Sequence, residues 1–313
     1  MGGTIQRTKL LSGEIDRIYD RKVVLNMDEI IRKLETFEEP STLLWRGIEL
    51  KFVKMLLDKY PVTGKSLDLG CGEGKVAEAV FEKQISVGLD NGPEMVRKAT
   101  INRIYKKVVL GDAAKMPFEN QSFDFIFSNS VVEHIEDIEG VLSEMKRVLK
   151  KDGIIILTVP NNYLTGRSIF SALGLRGISR WYGEKRNKKF DHFNLWNRET
   201  WGKKLEKNGM RIVEPCSYLS KQETEYWDFL LMLFFVLKKI NGKLAVAVYK
   251  FLRNRIWRVI SKAEACETGS ASCIVIGHSP RFDRSLHRKI RDPQGCQGDK
   301  PSSLEQFELS YLY

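Results

Sequence analysis

The chain has 313 residues, 42% hydrophobic and 29% charged, with a formal net charge of +11. That content can bury one large core or two modest ones and excludes a disordered or fibrous protein. Its five cysteines (Cys71, Cys216, Cys266, Cys273, Cys296) are odd in number and form no Cys-x-x-Cys pair, and the first residues show neither an apolar signal core nor a myristoylation pattern. A reducing, cytoplasmic setting without a disulfide framework is expected.

Residues 1–60 read as an N-terminal helical cap. Met27 to Leu34 has helical spacing, and Ile48, Phe52, Val53, Leu56 and Leu57 repeat it before Pro61. From Lys65 short apolar runs alternate with helical stretches. The runs are 66–69, 86–89, 107–110, 124–128 and 154–159, and the helices lie near 75–81, 94–99 and 138–149. Such alternation means βαβ units and a parallel sheet. Beyond Pro160 the chain reads as loop and basic. A helix follows over 198–208, with two further strands at 210–218 and 272–278. The expected fold is a Rossmann-like, seven-stranded, mostly parallel sheet with helices on both faces, a helical cap and a helical insertion before the last strand. The domain boundaries are 1–60 for the cap, 61–225 for the core, 226–263 for the insertion, 264–279 for the last strand and 280–313 for a disordered tail.

The most specific local signal is Leu67-Asp68-Leu69-Gly70-Cys71-Gly72-Glu73-Gly74, placed where the first strand turns into the first helix. Glycines there allow a tight turn and close approach of a ligand to the backbone, although a purely structural turn uses the same residues. Asp90 ends the second strand and Asp112 the third. Three acids (Asp68, Asp90, Asp112) at successive strand ends converge on the sheet edge where open α/β sheets bind ligands. The spacing Gly70, Gly72, Gly74 differs from the dinucleotide pattern. Asp68 and Glu73 beside the loop would repel a pyrophosphate.

These residues, with Gly88-Leu89-Asp90, Gly111-Asp112-Ala113-Ala114-Lys115-Met116-Pro117-Phe118, Ser122 to Ser128, Val132-Glu133-His134-Ile135 and Arg147 to Gly153, resemble the class I S-adenosylmethionine-dependent methyltransferases, within them the group that includes quinone-biosynthesis enzymes. The resemblance covers roughly residues 50–220. It implies S-adenosylmethionine as cofactor, with Gly70 and Gly72 toward its methionine part, Asp90 at the ribose and Asp112 at the adenine amino group. It also implies Met116 and Phe118 against the adenine ring and Asn129 lining the pocket; Asp68 and Ala113 complete the expected cofactor set. The Lys-Pro-Gly-Gly turn usual in that family stands here as Lys150-Lys151-Asp152-Gly153.

Methyl transfer needs in-line placement and, for a protonated acceptor, a base. His134 is the first candidate, with packing or a helix start as its bland alternative. His192 is the second, with loop fixing as its alternative. No metal site is expected, because His134, His192, His278 and His287 are scattered along the chain and the cysteines lack ligand spacing. No Gly-x-Ser-x-Gly elbow supports a hydrolase.

Charge is concentrated: residues 229–263 hold eight Lys/Arg and no Asp/Glu, and residues 176–189 six Lys/Arg against Glu184. The nine apolar residues 229–237 are too few to span a bilayer. In the continuation, Leu244, Val248, Phe251, Leu252, Ile256 and Val259 form one helical stripe. That segment reads as a lid, a homodimer surface or a contact with an anionic membrane surface. The leading function is methyl transfer to an oxygen or carbon of a small or lipid-linked acceptor, by a cytoplasmic enzyme that can sit at the membrane periphery. RNA methylation and non-catalytic cofactor binding are the alternatives, with nucleic acid disfavoured because neither an RNA-binding module nor a base-methylation motif is recognisable.

Overall fold

In the computed structural model, described for residues 26–36 and 38–278, the chain builds one seven-stranded sheet. Helices α1 (Met27–Glu35) and α2 (Pro40–Lys59) precede β1 (Ser66–Leu69). Then come α3 (Lys75–Val80), β2 (Ile85–Asp90), α4 (Pro93–Asn102), β3 (Tyr105–Leu110), β4 (Phe123–Asn129), α5 (Ile138–Val148) and β5 (Leu149–Pro160). The second half adds α6 (Ile169–Ala172), α7 (Arg176–Lys189), α8 (Arg198–Lys207), β6 (Met210–Tyr218), α9 (Lys221–Ile240), α10 (Gly242–Lys262) and β7 (Ala271–His278). The strand order is β3-β2-β1-β4-β5-β7-β6. β7 runs antiparallel to both β5 and β6, and the other pairings are parallel.

The apolar runs are continuous because the central strands are buried on both faces. Leu67, Leu69, Ile155, Leu157, Ile274 and Ile276 enter one core with α5 and α8, while Ile156, Cys273 and Val275 enter the other with α2, α9 and α10. Strand order reverses between β1 and β4, the switch point at which such sheets open a crevice beyond their carboxyl ends.

Several expectations change. The stretch after Pro160 holds α6 and α7 rather than loop. Gly183 lets α7 press directly on Thr165, since an added Cβ would overlap its carbonyl oxygen. Residues 150–153 lie inside β5, next to an irregularity in its pairing with β4, and make no turn. The insertion starts at Lys221, capped by Ser220 in a reciprocal capping box with Glu223, ahead of the 226 boundary. The expectations of a cap beginning at residue 1 and of a disordered tail over 280–313 concern residues outside those described.

The insertion and the cap form one layer. Glu35, at the end of α1, accepts hydrogen bonds from Tyr249, Arg253 and Trp257 of α10. Lys51 of α2 donates to the carbonyls of Ser261 and Ala263 at the end of α10, and Gly47 leaves room for Ile260. α2 is therefore buried around most of its circumference. The predicted α10 stripe divides: Ile256 is buried, while Leu244 and Phe251 face outward, Phe251 at 85% exposure. The basic window is also less free than its composition suggests, because Arg253 pairs with Glu35 and Lys238 with Glu39.

α7 is fastened to α9 by a buried pair. Arg186 Nη1 donates to Asp228 Oδ1 at 2.6 Å, and the guanidinium also donates to the carbonyl of Leu164 and lies 5.0 Å from the Trp227 ring. Removing one member of such a pair strands a buried charge. Asp228→Ala is expected to destabilise the fold by about 3–5 kcal/mol in urea unfolding, whereas Glu199→Ala, which breaks an exposed pair with Lys203, should change stability by less than about 1 kcal/mol.

Candidate active site

β1 ends at Leu69, and the chain turns through Gly70 (φ +74°) and Gly72 (φ +52°) into α3. A Cβ at Gly70 would overlap the Val131 side chain, whereas one at Gly72 would meet no protein atom within 4 Å. Gly70 is thus required by the fold, and Gly72 faces open space where a ligand can approach. Asp90 fixes the loop: its carboxylate accepts from Gly72 N at 2.8 Å and from Gly92 N at 2.9 Å. Asp112, at the end of β3, accepts from Ala114 N.

Three cavities adjoin along this edge. One of about 240 Å³ is lined by Gly70, Asp90, Asp112, Ala113, Ser130 and His134. A second, of about 300 Å³, lies under the glycine loop among Asp68, Gly72, Arg46, Asn129 and Ser130. The third, of about 290 Å³, is lined by Trp45, Arg46, Glu133, His134, His192 and Trp227. Ser130 borders all three. The cofactor residues expected from sequence therefore line these cavities, with two exceptions. Met116 is buried in the core beneath β4 and does not line these cavities, and Phe118 packs edge-on to Phe123.

Charge is distributed differently from the sequence reading. Hydrogen bonds from Lys75 and Lys98 hold the Glu73 carboxyl down to about 2, and these cations compensate its charge. Burial pushes the Asp68 carboxyl up to about 7, against the lowering hydrogen bond from the Tyr105 hydroxyl at 2.6 Å.

Residues that the sequence reading left out complete the site. Glu49 of α2 is fully buried and accepts from Arg46 Nη1 at 2.6 Å, Ser130 Oγ at 2.9 Å and the Tyr218 hydroxyl at 3.0 Å. Burial raises its pKa, but Arg46 and the hydrogen bonds outweigh this and hold the carboxyl below its usual range. Arg46 also donates to Asn129 Oδ1, whose amide donates to Thr158 Oγ1. Ser130 sits at φ +50°, in the left-handed region, and its N–H donates to Thr158 Oγ1 at 3.0 Å. An arginine inside the apolar run Leu43-Leu44-Trp45-Arg46 was the available signal for this network.

His134 and His192, 58 positions apart in the sequence, have ring centroids 5.1 Å apart. The backbone carbonyl of Asp191 lies 3.2 Å from His134 Nδ1. Burial, with smaller contributions from His134 and Arg186, lowers His192 to about 4, and burial pushes Glu133 up to about 8. The scatter of histidines along the chain, which argued against a metal constellation, does not hold in space. Glu133, His134 and His192 offer donor atoms all within 4.8 Å of one another.

Residues 67–157 match the sequence profile of a methyltransferase domain. An uncharacterised protein of Methanocaldococcus jannaschii is 33% identical over 132 residues, 42% of this chain and 60% of that protein. A ubiquinone biosynthesis O-methyltransferase of Pelagibacter ubique is 29% identical over 121 residues, 37% of this chain and 50% of that protein. A sterol 24-C-methyltransferase of Pneumocystis carinii is 38% identical over 96 residues, 28% and 26% of the respective chains. The chain thus spans 60% or less of the length of each. Among solved structures, an S-adenosylmethionine-dependent methyltransferase of Thermotoga maritima, described as a possible histamine N-methyltransferase, covers 74% of this chain and 88% of its own at 20% identity and a TM-score of 0.48. Residues 67–157 of this chain thus carry a methyltransferase domain.

A pH test addresses Asp68. Its carboxyl is raised in the fold from 3.8 to about 7, so the folded state binds more protons than the unfolded state between those values. The associated stability is present below pH 4 and is lost as pH rises through 7. Asp68→Asn can still accept from Tyr105 and should remove this slope. Relative to wild type, the variant gains up to roughly 4 kcal/mol between pH 4 and pH 7, measured by urea unfolding along a pH series.

Proposed function

We propose that this chain transfers the methyl group of S-adenosylmethionine to an oxygen or carbon of a small or lipid-linked acceptor. The observation that carries this reading is the continuity of the three cavities through Ser130, which joins the glycine loop and strand-end acids to an aromatic chamber bearing two histidines. In this reading Asp90 accepts from the ribose hydroxyls, and Asp112 with Ala113 borders the adenine. Gly70, Gly72, Asn129 and Asp68 surround the methionine part, and Arg46 faces its carboxylate. The acceptor lies in the chamber that Trp45 and Trp227 line together with the two histidines. His134 and His192 stand on that side, where an imidazole takes the proton of a hydroxyl acceptor as the C–S bond breaks and the O–C bond forms. The ubiquinone and sterol methyltransferases among the relatives support an apolar acceptor.

Calorimetry tests the cofactor assignment. Gly72→Val and Asp90→Ala, checked as folded, should each weaken S-adenosylmethionine binding by about tenfold to a hundredfold or more. His134→Ala and His192→Ala should lose turnover and keep cofactor affinity. Unchanged affinity in both loop variants, or tighter binding of NAD, contradicts the reading. Mass spectrometry after incubation of labelled cofactor with soluble and lipid fractions of cell extract identifies the acceptor.

The membrane part of the proposal rests on the outer face of α10, where Leu244 and Phe251 are exposed beside Lys243 and Lys250. No helix among the described residues is long and apolar enough to cross a membrane, but each basic residue near an anionic surface adds about 1 kcal/mol, screened by salt. The protein should sediment with anionic vesicles at low salt and leave them at high salt, and Lys243→Glu with Lys250→Glu should abolish this. A shift in oligomeric state of that variant, read by light scattering without vesicle binding by wild type, supports a homodimer surface instead.

A further inference from the structure

Glu133 lies in the short 3₁₀ turn Val132–His134 after β4 and is 1% exposed. One of its carboxylate oxygens, Oε2, is buried without a hydrogen-bond partner, and so is Nδ1 of His192. Two unmatched polar atoms in one chamber are costly unless something bound there pairs with them. The second oxygen of Glu133 is 3.8 Å from His134 Nε2, beyond a hydrogen bond but close to the spacing of two ligands on one cation. His134 is oriented for such a role. Its Nδ1 lies 3.2 Å from the Asp191 carbonyl, and since a carbonyl only accepts, Nδ1 must carry the proton. In the neutral ring this leaves the Nε2 lone pair on the side of Glu133. Backbone anchoring of one imidazole nitrogen is how metal-ligating histidines are held.

We propose that Glu133, His134 and His192 bind a divalent first-row transition cation, typified by Zn²⁺ or Co²⁺, at the wall of the acceptor chamber. Two imidazoles and a carboxylate suit these ions, whereas Mg²⁺ demands oxygen ligands. Ligand bonds of about 2.1 Å place donors at most about 4.2 Å apart. The widest separation of the three, within 4.8 Å, closes by side-chain rotation. Three protein ligands leave positions open toward the chamber lined by Trp45 and Trp227, where an acceptor oxygen can complete the coordination.

The inference deepens the proposed methyl transfer and rests on it for its role. An acceptor hydroxyl bound to the cation ionises more readily and releases its proton to solvent, and the resulting oxygen attacks the methyl group. The histidines then act by holding the cation rather than as free bases.

The test uses the full chain, treated with chelator and dialysed, then titrated with Co²⁺ by visible absorption and with Zn²⁺ by calorimetry. One Co²⁺ per chain is expected, with d–d bands and no thiolate charge-transfer absorption, and millimolar Mg²⁺ should not compete. His192→Ala, on a partly exposed loop, and Glu133→Gln should each weaken Co²⁺ binding by more than about 100-fold. S-adenosylmethionine affinity measured on the same samples reports folding and stands independently of the metal. Absence of Co²⁺ binding by cofactor-competent wild type, equal binding by both variants, or thiolate absorption overturns the site while leaving the methyltransferase reading intact. Loss of cofactor binding by wild type overturns the proposed function instead.

Discussion

The Glu49 carboxylate is the point on which the cap, the sheet and the site depend. A carboxylate buried this completely is tolerated only when several donors surround it. Here they come from its own helix (Arg46), from the turn after β4 (Ser130) and from β6 (Tyr218). Satisfying that one charge brings α2 over the carboxyl edge of the sheet. It also holds Ser130 in a left-handed conformation between three cavities and aims Arg46 at the space beneath the glycine loop. The helical cap is in this sense part of the site rather than a cover laid upon it.

The same logic orders the surroundings. α10 is tied to α1 by Glu35 and to α2 by Lys51, and α7 is tied to α9 by Arg186 and Asp228. These contacts make the segment after β6 a second wall of the helical layer, and Trp227 of α9 and Trp45 of α2 meet with ring centroids 5.0 Å apart. The cavity that holds His134 and His192 is bounded by those two rings, so its shape depends on residues almost two hundred positions apart.

Electrostatically, the cofactor edge is milder than its acid count suggests. Glu73 is compensated by two lysines, and Asp68 shares its buried position with the Tyr105 hydroxyl. Asp90 keeps its place by accepting two backbone N–H groups from Gly72 and Gly92, an arrangement that couples the glycine loop directly to the strand-end acid. A cationic sulfonium ligand with free hydroxyls fits such an edge better than a pyrophosphate does.

The sheet, its strand ends and the glycine loop were legible in the sequence because they follow from local rules. Parallel strands buried on both faces appear as apolar runs, and a turn with three positive-φ positions calls for glycine. Those rules also located Asp68, Asp90 and Asp112 on one edge. They could not place Met116, whose side chain was drawn into the core rather than toward the cavity, nor the helices after Pro160, whose packing rests on the buried Arg186–Asp228 pair. They missed Glu49, and the burial of Glu133 within its motif, for a single reason: an acidic residue inside a helical or turn pattern reads as solvated until its neighbours are known. The pairing of His134 with His192 belongs to the same class. Separated by 58 positions, the two rings share a chamber because α7 folds back against α9 and carries the following loop to the end of β4, a long-range contact that no local pattern in the chain encodes.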